Sequence, residues 1–274
     1  MVFPLIYTLV LSLQQYNLTN PTLRGFIGLK NYWEMIINKR FWMALGRSLY
    51  YTFFSVGLSF IIGFITALIL SKKEIIGNNI FRSIFLIPMI ISPMVIGSTF
   101  RYLLNPSFGI VNYLLQLIGL PKLAFLGDSS LALNSLIMVD IWQWTPFMIL
   151  VLLAGFESLP KEPFEAAQID GANFWQELVY ITIPLLKPII SIAVLIRTMD
   201  AFRAFDKIFM MTSGGPGSST ETLSFYAYKV GFQYFKMGDA AAMGIFMLYF
   251  VVFLSWLYMK TLDKTLTKEG GKLN

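Results

Sequence analysis

Apolar residues fall in five long blocks separated by polar connectors: Leu49 to Leu70, Ile84 to Leu104, Leu131 to Phe156, Ile189 to Met211 and Ala240 to Met259. Each reaches about 20 residues, the length at which a helix crosses a hydrocarbon core about 30 Å thick. The pattern predicts an all-α fold, a polytopic membrane helical bundle. A sixth run, Val2 to Leu13, is too short to span and lacks the basic flank and small-residue cleavage site of a signal peptide. It reads as the second half of a spanning helix that starts upstream, so about six transmembrane helices are expected, five of them complete. The whole chain, 1–274, reads as a single transmembrane domain.

Pro88, Pro93, Gly97 and Pro146 lie inside the runs, where they are expected to bend or loosen helices whose freed backbone groups neighbouring helices re-satisfy. The connectors differ in character. Residues Gln14 to Arg47 form a long one with Pro21, Gly25, Gly28 and the aromatics Tyr32, Trp33, Phe41 and Trp42, whereas Ser71 to Ser83 is short and carries Lys72, Lys73 and Arg82. Short basic loops favour the cytoplasm. Counted over all connectors, however, the two sides hold nine and ten basic residues, so charge alone does not orient the chain.

Composition narrows the chemistry. With 56% hydrophobic and 13% charged residues, and a mean hydropathy of +0.66, most of the surface must meet lipid or other helices. The chain has neither cysteine nor histidine, which removes disulfides, thiolate nucleophiles, the usual zinc sites and imidazole acid–base catalysis. An enzyme is not expected. The net charge of +6 is spread through the connectors without a run dense enough for a nucleic-acid surface.

The connector from Glu157 to Pro188 has the punctuation of two short helices. Pro160 and Pro163 suit a first helical turn, where a missing N–H costs nothing. Glu165, Ala166, Ala167, Gln168 and Ile169 then form a helix, and Gly171 stands where a left-handed cap ends it. Asn173 with Gln176 three residues on makes a second N-cap, and Pro184 and Pro188 are expected to close the segment.

The residues Glu165-Ala166-Ala167, Asp170-Gly171-Ala172, Ile181 and Ile183-Pro184 stand at the spacing of the EAA loop of bacterial ABC-importer permeases, which this chain resembles. The phrase from Leu159-Pro160 to Pro184-Leu-Leu-Lys-Pro188 is similar to the carbohydrate branch, which includes maltose-type and glycerol-phosphate-type systems; Leu178 departs from it where an aromatic is commoner. Phe26 to Tyr32 and Thr212 to Gly217 resemble the same family, the latter its maltose F-type subunit.

The resemblance implies a type I importer permease in a bacterial or archaeal cytoplasmic membrane, importing sugars or oligosaccharides. Its short helix would be a coupling helix, with Glu165, Ala166, Ala167, Asp170 and Gly171 docking on a cytoplasmic ATPase. Implied partners are a G-type permease, two ATP-binding subunits, an extracytoplasmic solute-binding protein and membrane lipid, but no nucleic acid. Small residues at 166 and 167 permit close approach, and Glu165 offers a carboxylate. No phosphate-binding Gly-x-x-x-x-Gly-Lys-[Ser/Thr] occurs, so no cofactor is assigned to this chain, and ATP and magnesium belong to the partner ATPase. Glycerol phosphate as cargo, and an autonomous ion-gradient carrier, are the alternatives.

Ionisable residues inside a span are functional candidates by default. Arg197, Asp200, Arg203 and Asp206 recur every three residues in the fifth run, a ladder on one helix. Asp200, Arg203 and Asp206 could line a pathway for sugar hydroxyls with Phe202 and Phe205 stacking, or the four charges could satisfy one another or a partner helix. Asp140 and Trp144 form a second polar and aromatic group that could face the channel or serve packing. Thr212 to Thr222 could contact a binding protein or be a flexible connector.

Overall fold

The computed structural model describes residues 2–20, 22, 24–71, 84 and 86–270, with only the backbone beyond 260. The basic loop after Ser71 therefore lies outside the described residues, as do the side chains of the C-terminal lysines. Among the described residues four helices are long and apolar enough to cross a membrane: Lys39–Leu70, Ala132–Glu157, Phe174–Phe202 and Met237–Lys260. The last continues as a helix to Gly270. The short apolar helix Val2–Ser12 packs on it. Among the described residues Gln14–Gln15 pairs antiparallel with Gly25–Phe26, and Asn17 forms an isolated bridge with Lys236.

Two of the expected spans are broken. The Ile84 to Leu104 run is helical at 86–90, leaves the helix at Ile91 and Ser92, and resumes as Pro93–Leu103. Proline has no N–H and excludes its predecessor from helical geometry, which accounts for the break at Ser92. The carbonyl released at Ile91 accepts a hydrogen bond from Nε2 of the fully buried Gln143, at 3.1 Å. The Ala132–Glu157 helix, by contrast, runs through Pro146 unbroken.

The fifth run is displaced. Its helix begins at Phe174 and ends at Phe202; Arg203 to Phe205 are non-helical, and Asp206–Met211 is a separate short helix. Neither proline nor glycine marks this end. Pro184 and Pro188 do not close the preceding segment, because a wider turn at Leu178–Thr182 lets the chain enter Ile183–Phe202 without interruption. Such π turns change which carbonyl each N–H meets, and so accommodate residues that an α-helical ladder rejects.

The described residues divide into two compact units. The first comprises residues 1–53, 93–137 and 199–274. Its core joins Met35, Phe41, Leu45, Phe202, Tyr226 and Met243, with the ring of Phe202 stacked on Phe250 at 5.1 Å. Pro93–Leu103 packs against Asp206–Met211, where a Cβ on Gly97 would lie 2.8 Å from that of Met210.

The second unit comprises residues 54–92 and 138–198. Small residues set its helix spacing, as they do wherever packing rather than hydrophobicity must hold membrane helices together. A Cβ on Gly63 would sit 2.5 Å from the Cβ of Met148, an atom too near the backbone to swing aside. Gly63→Ala is therefore expected to lower stability by about 1–3 kcal/mol, the usual cost of overpacking, measurable as a lower thermal midpoint in detergent. An unchanged midpoint would show that the two helices part freely.

Candidate functional site

The expected coupling segment forms as its local signals dictate. Glu162–Ile169 is a helix with Pro163 in its first turn, and Gly171 follows at φ +71°, a left-handed conformation that a side chain would strain. Asn173 accepts from the Gln176 backbone at 3.0 Å while the Gln176 side chain accepts from the Asn173 N–H at 2.8 Å, so the capping box is complete. The helix after this cap leads directly into the Phe174–Phe202 span, which ties the connector rigidly to a membrane helix.

Ala167 is buried, whereas Glu165, Ala166, Asp170 and Gly171 are exposed. Beside them the chain exposes Ile169 (86%) and Trp175 (70%). Large apolar groups standing out from a polar connector are characteristic of a docking surface. Sequence reasoning passed over these two, although an isoleucine ending a helix before Asp-Gly was a readable signal.

Arg197 finds a partner on another helix. Arg197 is 1% exposed, and its Nη2 donates to Oδ2 of Asp140 at 2.6 Å, a partner on the Ala132–Glu157 helix. The same nitrogen lies 3.2 Å from the Ser55 hydroxyl, which in turn donates to the Asp140 carboxylate. The guanidinium stands 5.0 Å from the centre of the Trp144 ring, within cation–π reach. An unpaired arginine at the centre of a span costs about 2.5–3.5 kcal/mol on insertion scales; here a carboxylate, a hydroxyl and an aromatic face enclose it. Asp140 and Trp144 are thus brought together around Arg197, which meets the second of its expected kinds of partner, a neighbouring helix.

The other pathway candidates are separated. Phe202 is buried in the first unit's core, and Phe205 stacks with Phe209 and Phe225 and lies 5.1 Å from the Tyr228 ring. Arg203 is exposed, and its Nε donates to the Met199 carbonyl at 3.1 Å. Asp206 opens the Asp206–Met211 helix, beyond the break that removes it from the register of Arg197. The carbonyl of Ala204, inside the break, accepts from Thr222 Oγ1 at 3.4 Å.

A second ionic centre went unforeseen. Glu221 is fully buried and receives two parallel bonds from Arg40, Nε and Nη2 each at 2.7 Å, and one from Lys229 at 3.1 Å. Arg47 donates to the Glu221 carbonyl at 3.3 Å. Burial alone would raise the Glu221 carboxyl, yet the hydrogen bonds from Arg40 and Lys229 hold it below its usual value. Burial pushes the neighbouring Tyr226 phenol up. Glu221 is the only acid between Asp206 and Asp239, which was its one signal in the sequence.

The stretch from Thr212 to Thr222 is consequently braced rather than loose. The Thr212 and Thr220 hydroxyls are 2.8 Å apart, and Thr220 also donates to the Gly215 carbonyl at 2.8 Å. In the same unit, Met43, Arg47, Tyr50, Leu133, Asn134 and Ser219 help to line a cavity of about 390 Å³ that contains none of the expected pathway residues.

Membrane-length helices bracketing an exposed, glycine-ended helix define a polytopic membrane permease. Residues 59–267 match the family described as binding-protein-dependent transport system inner membrane component, and the chain belongs to that family. It is 41% identical to the probable ABC transporter permease protein y4oQ of Sinorhizobium fredii, covering 93% of this chain and 79% of that one. The trehalose/maltose transport system permease protein MalF of Thermococcus litoralis is 36% identical, covering 94% and 87%. The fold is shared with a solved bacterial ABC transporter described as importing the acidic polysaccharide alginate, at a TM-score of 0.81 and 25% identity, covering 95% of this chain and 90% of that one. The chain is thus a transport subunit working with a binding protein and other partner chains, which sets aside the autonomous ion-gradient carrier.

Proposed function

We propose that this chain is a channel-forming permease subunit of an ATP-driven importer of sugars or oligosaccharides, seated in a cytoplasmic membrane. The relatives named for trehalose and maltose, and the related alginate importer, support a carbohydrate cargo. In this reading the Glu162–Ile169 helix docks on a separate ATPase that holds ATP and magnesium, and a distinct G-type permease completes the channel with two such ATPases. Asp200 and Arg203 remain candidates for contact with the cargo.

The observation that carries the proposal is the exposed Glu165-to-Gly171 helix end with Ile169 and Trp175 beside it. It is joined by a complete cap to a membrane span, so a push on it reaches the channel. Only a difference in binding energy between the two access states makes such a push productive.

Purification of the tagged chain from its native membrane is expected to bring down an ATPase and a second permease. Gly171→Pro, which cannot adopt φ +71°, and Glu165→Lys should lose the ATPase while the chain itself remains in the membrane. Retention of the ATPase by both variants would overturn the docking role. Cargo class is checked separately, by the ligand that the cognate binding protein retains.

A further inference from the structure

The Ile110–Leu117 helix is built inside out. Asn112, its central polar residue, is 1% exposed; its side chain donates to the Leu123 carbonyl at 3.0 Å and accepts from the Leu123 N–H at 2.8 Å. The opposite face carries Ile110, Tyr113, Leu114, Leu117 and Ile118, each between 47% and 71% exposed. Their spacing of three and four residues makes one continuous apolar stripe. A helix in water turns this stripe inward, so the Asn112 tie holds the helix in an orientation that water disfavours.

We propose that this helix lies in the membrane surface, with its stripe buried among lipids at the boundary between headgroups and acyl chains. Three observations select lipid as the occupant. The stripe adjoins further exposed apolar surface, because the exposed rings of Tyr102 and Phe108, 6.3 Å apart, stand between it and Pro93–Leu103, whose Met94 and Val95 are also exposed. The segment between Arg101 and Asp128 contains a single charged residue, Lys122, so little charge opposes its burial among acyl chains. The helix has one apolar face and precedes the Ala132–Glu157 span, the amphipathic form of helices that lie in the interface plane, although it lacks their usual Lys and Arg. The helix would then fix the connector between two spans against the bilayer.

The chain contains no cysteine, so single cysteines placed at Ile110, Leu114 and Leu117, and at exposed Ser129 as the aqueous control, can each carry one nitroxide. The chain, copurified with its partner subunits, is reconstituted with them in vesicles of phosphatidylethanolamine and phosphatidylglycerol, and collisions with oxygen and with a water-soluble nickel chelate are compared. The labels at 110, 114 and 117 are expected to favour oxygen severalfold, and the label at 129 to favour the chelate. Preference for the chelate at the three positions would place the helix in water. Protection from both reagents would place it against protein, and either result overturns the proposal. The three positions are labelled separately, so loss of one variant leaves two readings.

Discussion

Asp140→Leu is expected to destabilise the protein by about 3–5 kcal/mol, the cost of breaking a buried ion pair by removing one member. Arg197 is almost wholly enclosed, and its strongest contact is the 2.6 Å bond to Asp140. Ser55 and Trp144 can orient the guanidinium but cannot neutralise it. The pair Asp140→Leu with Arg197→Met should recover most of the loss, because replacing both members of a buried ion pair by apolar groups is often neutral. Thermal unfolding of the three proteins in one detergent checks this. Equal losses in the single and double variants would show that the ion pair is not the source. The outcome also bears on transport, because a brace between two membrane helices explains Asp140 without any contact with cargo.

The second large effect is expected at Glu221. Glu221→Gln removes one charge from a site where Arg40 and Lys229 remain, and hydrogen bonds to charged groups are each worth about 1.5–3 kcal/mol. A loss of about 2–3 kcal/mol is expected at neutral pH, read as a lower unfolding midpoint. The effect depends on acidity. The folded protein holds the Glu221 carboxyl below its usual value of 4.5, so the unfolded chain takes up this proton first. The stabilisation is therefore complete above pH 4.5 and is lost as pH falls through the lower, folded value. The gap between wild type and Glu221→Gln should be widest near neutrality and shrink below pH 4.5. A gap that widens on acidification would contradict the assignment of this carboxylate as ionised.

Both centres illustrate what a chain reveals before it folds. The coupling segment was readable almost residue by residue, because its signals act over a few bonds. Pro163 suits a first turn, Gly171 tolerates positive φ, and Asn173 with Gln176 satisfies the open N–H groups of a helix start. The break at Ser92 was announced by Pro93 for the same reason. The end of the helix at Phe202 had no such herald, and neither did its passage through Pro188.

Length and apolarity along the sequence determined that the chain crosses a membrane several times as helices, and local stereochemistry determined the short helix, its glycine end and the cap that follows. Tertiary structure alone decided the charge partners. Arg197 meets an aspartate 57 residues away, and Arg40 meets a glutamate 181 residues away. The physical reason is that a buried charge takes whichever opposite charge packing brings within hydrogen-bond distance. Spacing along one helix limits only which neighbours are available, whereas the approach of a second helix, eased here by Gly155 facing Leu186 and Ile189, settles which of them is used.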